Sequence, residues 1–313
     1  MCEFTYAIVG TGALGGFYGA KLQQSGLNVH FLLKSDCEHV RQHGLVIKSV
    51  DGDFTLPRVK AYSDVQKIPA CDVVVISLKT TQNHLLPQIL PFAVKDTGIV
   101  LVLQNGFGIE AEVAQIVGSD KVIGGICFLT ANKIAPGYIR HLSYKNIILC
   151  EYTQNYHPGG ITERLRQIGK DFENAGIPVE LDEDLLLARW KKLVWNIPYN
   201  GLSVILNATT AELMASPDSS KLVEELMYEV ATGAKALGRT IPDTFIQKML
   251  HNTAKMTPYL TSMKIDYDER RPMEVEAIFG NPLRMVQAAG TNLPKIDCLY
   301  QQLKFLDAMR TAR

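Results

Sequence analysis

This chain lacks a charge excess of either sign: Lys plus Arg and Asp plus Glu both number 32, so the formal net charge is zero. A balanced surface offers no field to gather nucleic acid or an anionic membrane, and neither is expected as a partner. No apolar run approaches the ~18 residues of a membrane span. The start, Met1-Cys2-Glu3-Phe4-Thr5-Tyr6, has neither the basic region nor the apolar stretch of a secretory signal. The six cysteines, Cys2, Cys37, Cys71, Cys127, Cys150 and Cys298, contain no C-x-x-C pair and no metal-ligand spacing. Reduced thiols, no metal and a cytoplasmic location are therefore expected. His141, His157 and the other histidines show no pairing that suggests a metal or a nucleophile relay, and no G-x-S-x-G elbow occurs. Repeats and low-complexity segments are lacking as well.

What is present is ordinary globular material. The 313 residues, 47% hydrophobic and 20% charged, suffice for two domains with a core in each. Residues 4–9 form a short β-rich apolar run ending in Gly10, and Ala13–Gln24 suits a helix closed by Ser25-Gly26. Further buried strands are expected at Val29–Leu33, Asp72–Leu78 and Gly98–Leu103. Leu45–Lys48 and Asp53–Val59 flank the hairpin turn Asp51-Gly52. Residues 121–130 and 137–150 read as strands around the turn Ala135-Pro136-Gly137. From Asp182 the pattern is helical to the end, broken near Ser216-Pro217-Asp218, Thr240-Ile241-Pro242 and Gly290–Pro294. The fold class expected is an α/β Rossmann-type N-terminal domain with a parallel sheet, residues 1–181, followed by an all-α domain, residues 182–313.

Gly10-Thr11-Gly12-Ala13-Leu14-Gly15 is a G-x-G-x-x-G motif placed directly after a strand and opening a helix. The first glycine makes the tight turn, the second lets backbone approach a pyrophosphate, and the third lets helix and strand pack closely. The second strand ends in Leu32-Leu33-Lys34-Ser35-Asp36. A cation there suits the 2′-phosphate of NADP, whereas an acidic residue suits the ribose of NAD, so Asp36 complicates the choice. Lys79, at the end of the Asp72–Leu78 strand, is a second cation on the ligand edge, and the two lysines together favour NADP. Gln104-Asn105-Gly106-Phe107-Gly108 ends another strand; Asn105 suits a carboxamide or hydroxyl, though a plain Asn-Gly turn reads the same.

In Trp190–Ser203, Trp190, Leu193, Val194, Ile197 and Gly201 recur at helical spacing as a buried stripe. Lys192, Asn196 and Asn200 form a second stripe at i, i+4 and i+8, with Lys191 turned toward solvent and Pro198 placed to kink the helix between the asparagines. This pattern suits a substrate wall; an ordinary amphipathic helix with a lysine at its margin fits it too. Pro272 suits the first position of a later helix, putting Glu274 in its first turn, where a glutamate also serves the helix dipole.

These segments, with Ser77-Leu78-Lys79, Ser262-Met263 and Glu274-x-Glu276-x-Ile278-x-Gly280, stand in one order and spacing over nearly the whole chain. In them the chain resembles the 2-dehydropantoate 2-reductases, or ketopantoate reductases. The resemblance implies NADPH-dependent reduction of ketopantoate to (R)-pantoate, a step of pantothenate biosynthesis toward coenzyme A. It implies that Gly10 to Gly15 hold the pyrophosphate, that Lys34 and Lys79 take the 2′-phosphate, and that Asn105 and Thr130 touch the cofactor. It further assigns Lys192 as proton donor, Asn105, Asn196, Asn200 and Ser262 as substrate ligands, and Glu274 to catalysis and cofactor binding alike. The family often has Arg at Lys34, which implies a softer NADP preference here; it often has Asn-Pro at Asn200-Gly201 and a substrate-contacting Asn at Thr210, which loosens the implied substrate rather than the chemistry. A D-2-hydroxyacid dehydrogenase for another branched or aromatic 2-keto acid is the alternative within enzymes, and an NADP(H)-binding sensor the alternative outside them. The helical half has apolar surface enough for a homodimer, without marking an interface.

Overall fold

A computed structural model describes residues 4–311, so Cys2 lies outside the described part. The chain divides into two compact units: one runs to Gln104 and resumes over Ile109–Leu185, the other holds Asn105–Gly108 and everything from Leu186.

The first unit alternates strands and helices: β1 (Thr5–Val9), α1 (Ala13–Gln24), β2 (Asn28–Leu32), α2 (Cys37–His43), β3 (Leu45–Ser49), β4 (Phe54–Leu56), β5 (Lys60–Tyr62), β6 (Cys71–Ile76), α3 (Leu86–Ala93), β7 (Val94–Val102), α4 (Ile109–Val117) and β8 (Val122–Cys127). It closes with β9 (Thr130–Ala135), β10 (Tyr138–Ser143), β11 (Ile147–Glu151), α5 (Glu163–Asn174) and β12 (Val179–Leu181). Val73, Val74, Val75 and Ile76 of β6 are fully buried, as expected of a parallel strand covered on both faces. The large sheet has the order β12-β11-β8-β7-β6-β1-β2-β5 and is parallel except where β11 meets β8. Strand order reverses between β1 and β6, and in such sheets ligands bind at the carboxyl edge of that switch point.

A smaller sheet, β4-β3-β10-β9, covers the other side of α1. The helix has room for this because its inward positions include Gly16 and Gly19. A Cβ at Gly19 would meet the Phe31 ring at 2.5 Å on the large-sheet side, and one at Gly16 would meet Ile139 Cδ1 at 2.1 Å on the small-sheet side.

Two stretches read from the sequence as strands divide. Residues 121–130 hold β8 and the start of β9, and residues 137–150 hold β10 in the small sheet and β11 in the large one. The division falls at Tyr144, whose φ of 52° lies in the left-handed region that a non-glycine residue seldom adopts. Asp53–Val59 likewise shortens to β4, which pairs antiparallel with β3.

The second unit is helical throughout the described residues: α6 (Leu185–Ile205, its first residue counted with the first unit), α7 (Thr210–Ala215), α8 (Pro217–Ala236), α9 (Asp243–Ala254) and α10 (Ser262–Asp268). A π-helical turn, Glu276–Gly280, then leads into α11 (Asn281–Ala288) and α12 (Pro294–Thr311). Trp190, Leu193, Val194, Ile197, Met227, Val230, Phe279 and Ile296 are buried in its core. None of the helices, within the described residues, is long and apolar enough to cross a membrane.

Candidate active site

In the first unit the chain reverses sharply after β1. Gly10 takes a φ of 98°, and a Cβ there would lie 2.6 Å from the Leu78 backbone nitrogen. Ser77 closes the turn from the neighbouring strand, donating through Oγ to Gly10 O at 2.7 Å. Gly12 caps α1, and a Cβ on it would meet nothing within 4 Å, so its backbone faces open space. No side chain caps the helix and no acidic residue stands in its first turn. The first N–H groups of α1 therefore lack a carboxylate competitor, and the helix dipole adds positive potential. That is a fit for a pyrophosphate. Thr11 is buried and ties the turn to the end of β2, donating to Leu32 O at 3.2 Å.

Lys34 and Ser35 are exposed in the loop after β2, and Lys79 is exposed after β6 at the head of a short 3-10 helix, Thr80–Leu85. Thr130 opens β9 opposite Ser143 and is half-buried. Asp36, the residue that complicates the nucleotide choice, faces inward: it is 6% exposed and its Oδ2 lies 2.6 Å from Lys133 Nζ. Lys133 carries no motif in the sequence, and only the fold brings β9 to this loop. Gln104 has a role that spacing did not reveal. Its amide donates to Leu78 O at 2.8 Å and to Asn83 Oδ1 at 2.7 Å, fastening the ends of β6 and β7 together.

In the second unit, Asn105–Gly108 forms a turn clamped to the π-helical segment. Phe107 N donates to Ala277 O at 2.8 Å, Asn281 Nδ2 donates to Phe107 O at 2.7 Å, and a Cβ on Gly106 (φ 100°) would strike the Ala277 carbonyl at 2.6 Å. Asn105 is thereby held beside the chain that follows Glu274. π-turns of this kind often mark functional positions. Glu274 itself is buried, and its carbonyl accepts from Ile278 N at 3.1 Å. It thus stands at the entry of the helix, not within its first turn as Pro272 suggested. Met273 N donates to Asp307 Oδ1 at 3.0 Å, which ties the segment before Glu274 to α12.

The helix α6 runs unbroken through Pro198. Lys191 and Lys192 are both half-buried, so exposure does not separate them; the stripe does. Asn196 is 4% and Asn200 3% exposed, which is not the environment of an ordinary solvated face. Asn196 Nδ2 and Asn200 Oδ1 are buried without a hydrogen-bond partner. Such atoms are rare in native structures and call for a ligand or water. One is a donor and the other an acceptor, one helical turn apart. Ser203 donates to Asn200 O at 3.2 Å and its Oγ lies 2.8 Å from Thr261 Oγ1. Thr261 caps α10, so this hydroxyl pair brings Ser262, the first residue of α10, to the same stretch of α6. Thr210, by contrast, is engaged elsewhere: it is fully buried and its Oγ1 accepts from Tyr259 N at 3.3 Å.

His141 lies 2.8 Å from Ser49 Oγ through one ring nitrogen and 2.6 Å from Tyr144 O through the other. Its ring packs against Phe17 at 4.6 Å, so the Ser49–His141 contact fastens β10 to β3. Among the described residues no group of three or more His, Cys, Asp or Glu is placed to hold a metal.

The family model Ketopantoate reductase PanE/ApbA matches residues 6–154, and its C-terminal counterpart matches residues 184–307. A 2-dehydropantoate 2-reductase of Nostoc sp. is 66% identical over 98% of this chain and 96% of its own length. The crystal structure of 2-dehydropantoate 2-reductase from Geobacter metallireducens is similar with a TM-score of 0.92 and 40% identity, covering 96% of this chain and 99% of that one. That of the Methylococcus capsulatus 2-dehydropantoate 2-reductase gives 0.88 and 32%, covering 98% and 97%.

Proposed function

The chain belongs to the ketopantoate reductase family, and from that premise we propose that it reduces 2-dehydropantoate to (R)-pantoate with NADPH, in the cytoplasm, as a step of pantothenate biosynthesis. The observation that carries the reading is the buried polar stripe of α6, where a lysine is followed by two asparagines with unpartnered amide atoms.

NADPH, when bound, supplies the hydride. Gly10, Thr11, Gly12, Ala13, Leu14 and Gly15 present backbone N–H groups to its pyrophosphate, Lys34 and Lys79 pair with its 2′-phosphate, and Asn105, Thr130 and Glu274 complete its site. Asn196 donates to a carboxylate or ketone oxygen of the keto acid, and Asn200 accepts from its hydroxyl. Ser262 and Asn105 complete the substrate contacts. As the new C–H bond forms at C2, the carbonyl electron pair moves onto oxygen. The Lys192 ammonium stabilises that charge and transfers a proton to it, giving the 2-hydroxyl; the amine then regains a proton from water. Neutral amides orient the substrate without competing for the charge. Glu274, buried at the entry of the π-helical turn, serves both cofactor and catalysis.

We assign NADP binding to residues 1–181, apart from the Asn105–Gly108 turn that packs with the helical unit, and substrate binding and dimerisation to residues 182–313. The homodimer reading is supported by exposed Phe305 and Met309 on α12, Phe305 lining a groove with Ile205, Gln301, Gln302 and Leu306. The test of the activity is a panel of 2-keto acids with NADPH and NADH, following absorbance of the reduced nicotinamide. 2-Dehydropantoate with NADPH should give the highest kcat/KM. A preference for an aromatic 2-keto acid would move the reading to a D-2-hydroxyacid dehydrogenase, and no oxidation of NADPH by any keto acid would leave only a sensor.

A further inference from the structure

Asp36 poses a problem for a pocket that takes a 2′-phosphate. It follows the glycine motif by about 20 residues, where dinucleotide folds that bind NAD place the carboxylate that accepts from the ribose 2′-hydroxyl. A free carboxylate there would repel a 2′-phosphate. In this chain the carboxylate is turned inward, 6% exposed, with Oδ2 at 2.6 Å from Lys133 Nζ and 3.3 Å from Gly137 N. The same ammonium lies 3.4 Å from Thr11 O of the glycine turn. Thr11 in turn donates to Leu32 O, the last residue of β2. One lysine from the small sheet thus touches both walls between which such folds hold the adenosine ribose: the glycine turn and the loop after β2. Its side chain is 28% exposed, so the residue is not sealed away from solvent.

We infer that Lys133 is a specificity-determining residue for NADPH: it holds the Asp36 carboxylate away from the ribose and leaves a cation beside the 2′ position. The inference rests on the NADPH reading above and states how the fold enforces it. Lys34 and Lys79 add charge at the mouth of the site; Lys133 removes a carboxylate that would oppose it.

The experiment is titration calorimetry of NADPH and of NADH into the wild type, Lys133→Met, Lys133→Gln and the double variant Lys133→Met with Asp36→Asn. Glutamine keeps a hydrogen bond to Asp36 and so protects the fold, and the double variant leaves no unpaired buried carboxylate. Wild type should prefer NADPH. Lys133→Met should weaken NADPH by about tenfold or more, leaving NADH unchanged or tighter, whereas Lys133→Gln, which still holds Asp36 but carries no charge, should lose only about threefold, the part that the cation itself supplies. The double variant should recover NADPH affinity to within about threefold of wild type, because the opposing charge is gone. Equal loss for both nucleotides, an unchanged preference, or a double variant as weak as Lys133→Met would each overturn the inference. A wild type without preference would instead sink the NADPH reading itself, and the role of Lys133 with it.

Discussion

Burying an amide group without a partner costs about 1–3 kcal/mol, and α6 does so at both Asn196 and Asn200. If these atoms wait for substrate, Asn196→Leu should be neutral or stabilising in thermal denaturation. The same variant should raise KM for the keto acid by about tenfold, a loss of roughly 1.4 kcal/mol. A variant that melts lower with KM unchanged would make Asn196 a structural residue. Chemistry elsewhere in the chain is muted by burial. Cys37, Cys71, Cys127 and Cys150 are buried and Cys298 is exposed. Burial pushes the Cys71 thiol up to about 11, against a slighter opposing hydrogen bond to Thr5. Iodoacetamide at pH 8 with peptide mapping should therefore label Cys298 rapidly and Cys71 only after unfolding. At this scale the polar stripe was legible in the sequence because helical spacing alone aligns Lys192, Asn196 and Asn200. The Lys133–Asp36 pair was not, because 97 residues separate its members and nothing local links them.

Elements carry the next layer. The turn Asn105–Gly108 is seated on the π-helical segment by backbone contacts, so Gly106→Ala combines a left-handed φ with a clash against Ala277. It should destabilise by about 2 kcal/mol or more in chemical denaturation. It should also depress activity, since Asn105 moves with the turn; a fully stable, fully active Gly106→Ala would deny that seating. On the small sheet, a hydrogen bond from Lys145 holds the Asp51 carboxyl below its ordinary value, at 2.9 Å. A depressed folded pKa adds stability that is present above the unfolded value, near pH 4, and is lost as pH falls through the folded one. The group is exposed, so solvent screening leaves a small effect, about a few tenths of a kcal/mol. Asp51→Asn should narrow the stability difference between pH 6 and pH 2.5 by that amount and no more. The bounds of α1 were readable to the residue, because a strand, a glycine motif and Ser25-Gly26 punctuate it. The division of residues 137–150 was not, since an ordinary tyrosine, Tyr144, makes the turn between sheets.

For the whole molecule, the alternation of strands with helices and its replacement by helices after β12 were plain in the sequence, as was the glycine motif at the switch point. The assignment of Asn105–Gly108 to the helical unit was invisible, because it follows from contacts with Ala277 and Asn281 far along the chain. The dimer is tested by light scattering during size exclusion. Phe305→Glu should shift a wild-type dimer to monomer with its circular dichroism unchanged; a monomeric wild type would dismiss the dimer. The measurement closest to the centre of the account is the turnover of Lys192→Ala beside its NADPH affinity. NADPH binding should stay within about twofold of wild type, and kcat for 2-dehydropantoate should fall by about 10²–10³, the scale of losing one group that stabilises an oxyanion. A Lys192→Ala enzyme that binds NADPH and turns over at the wild-type rate would contradict this.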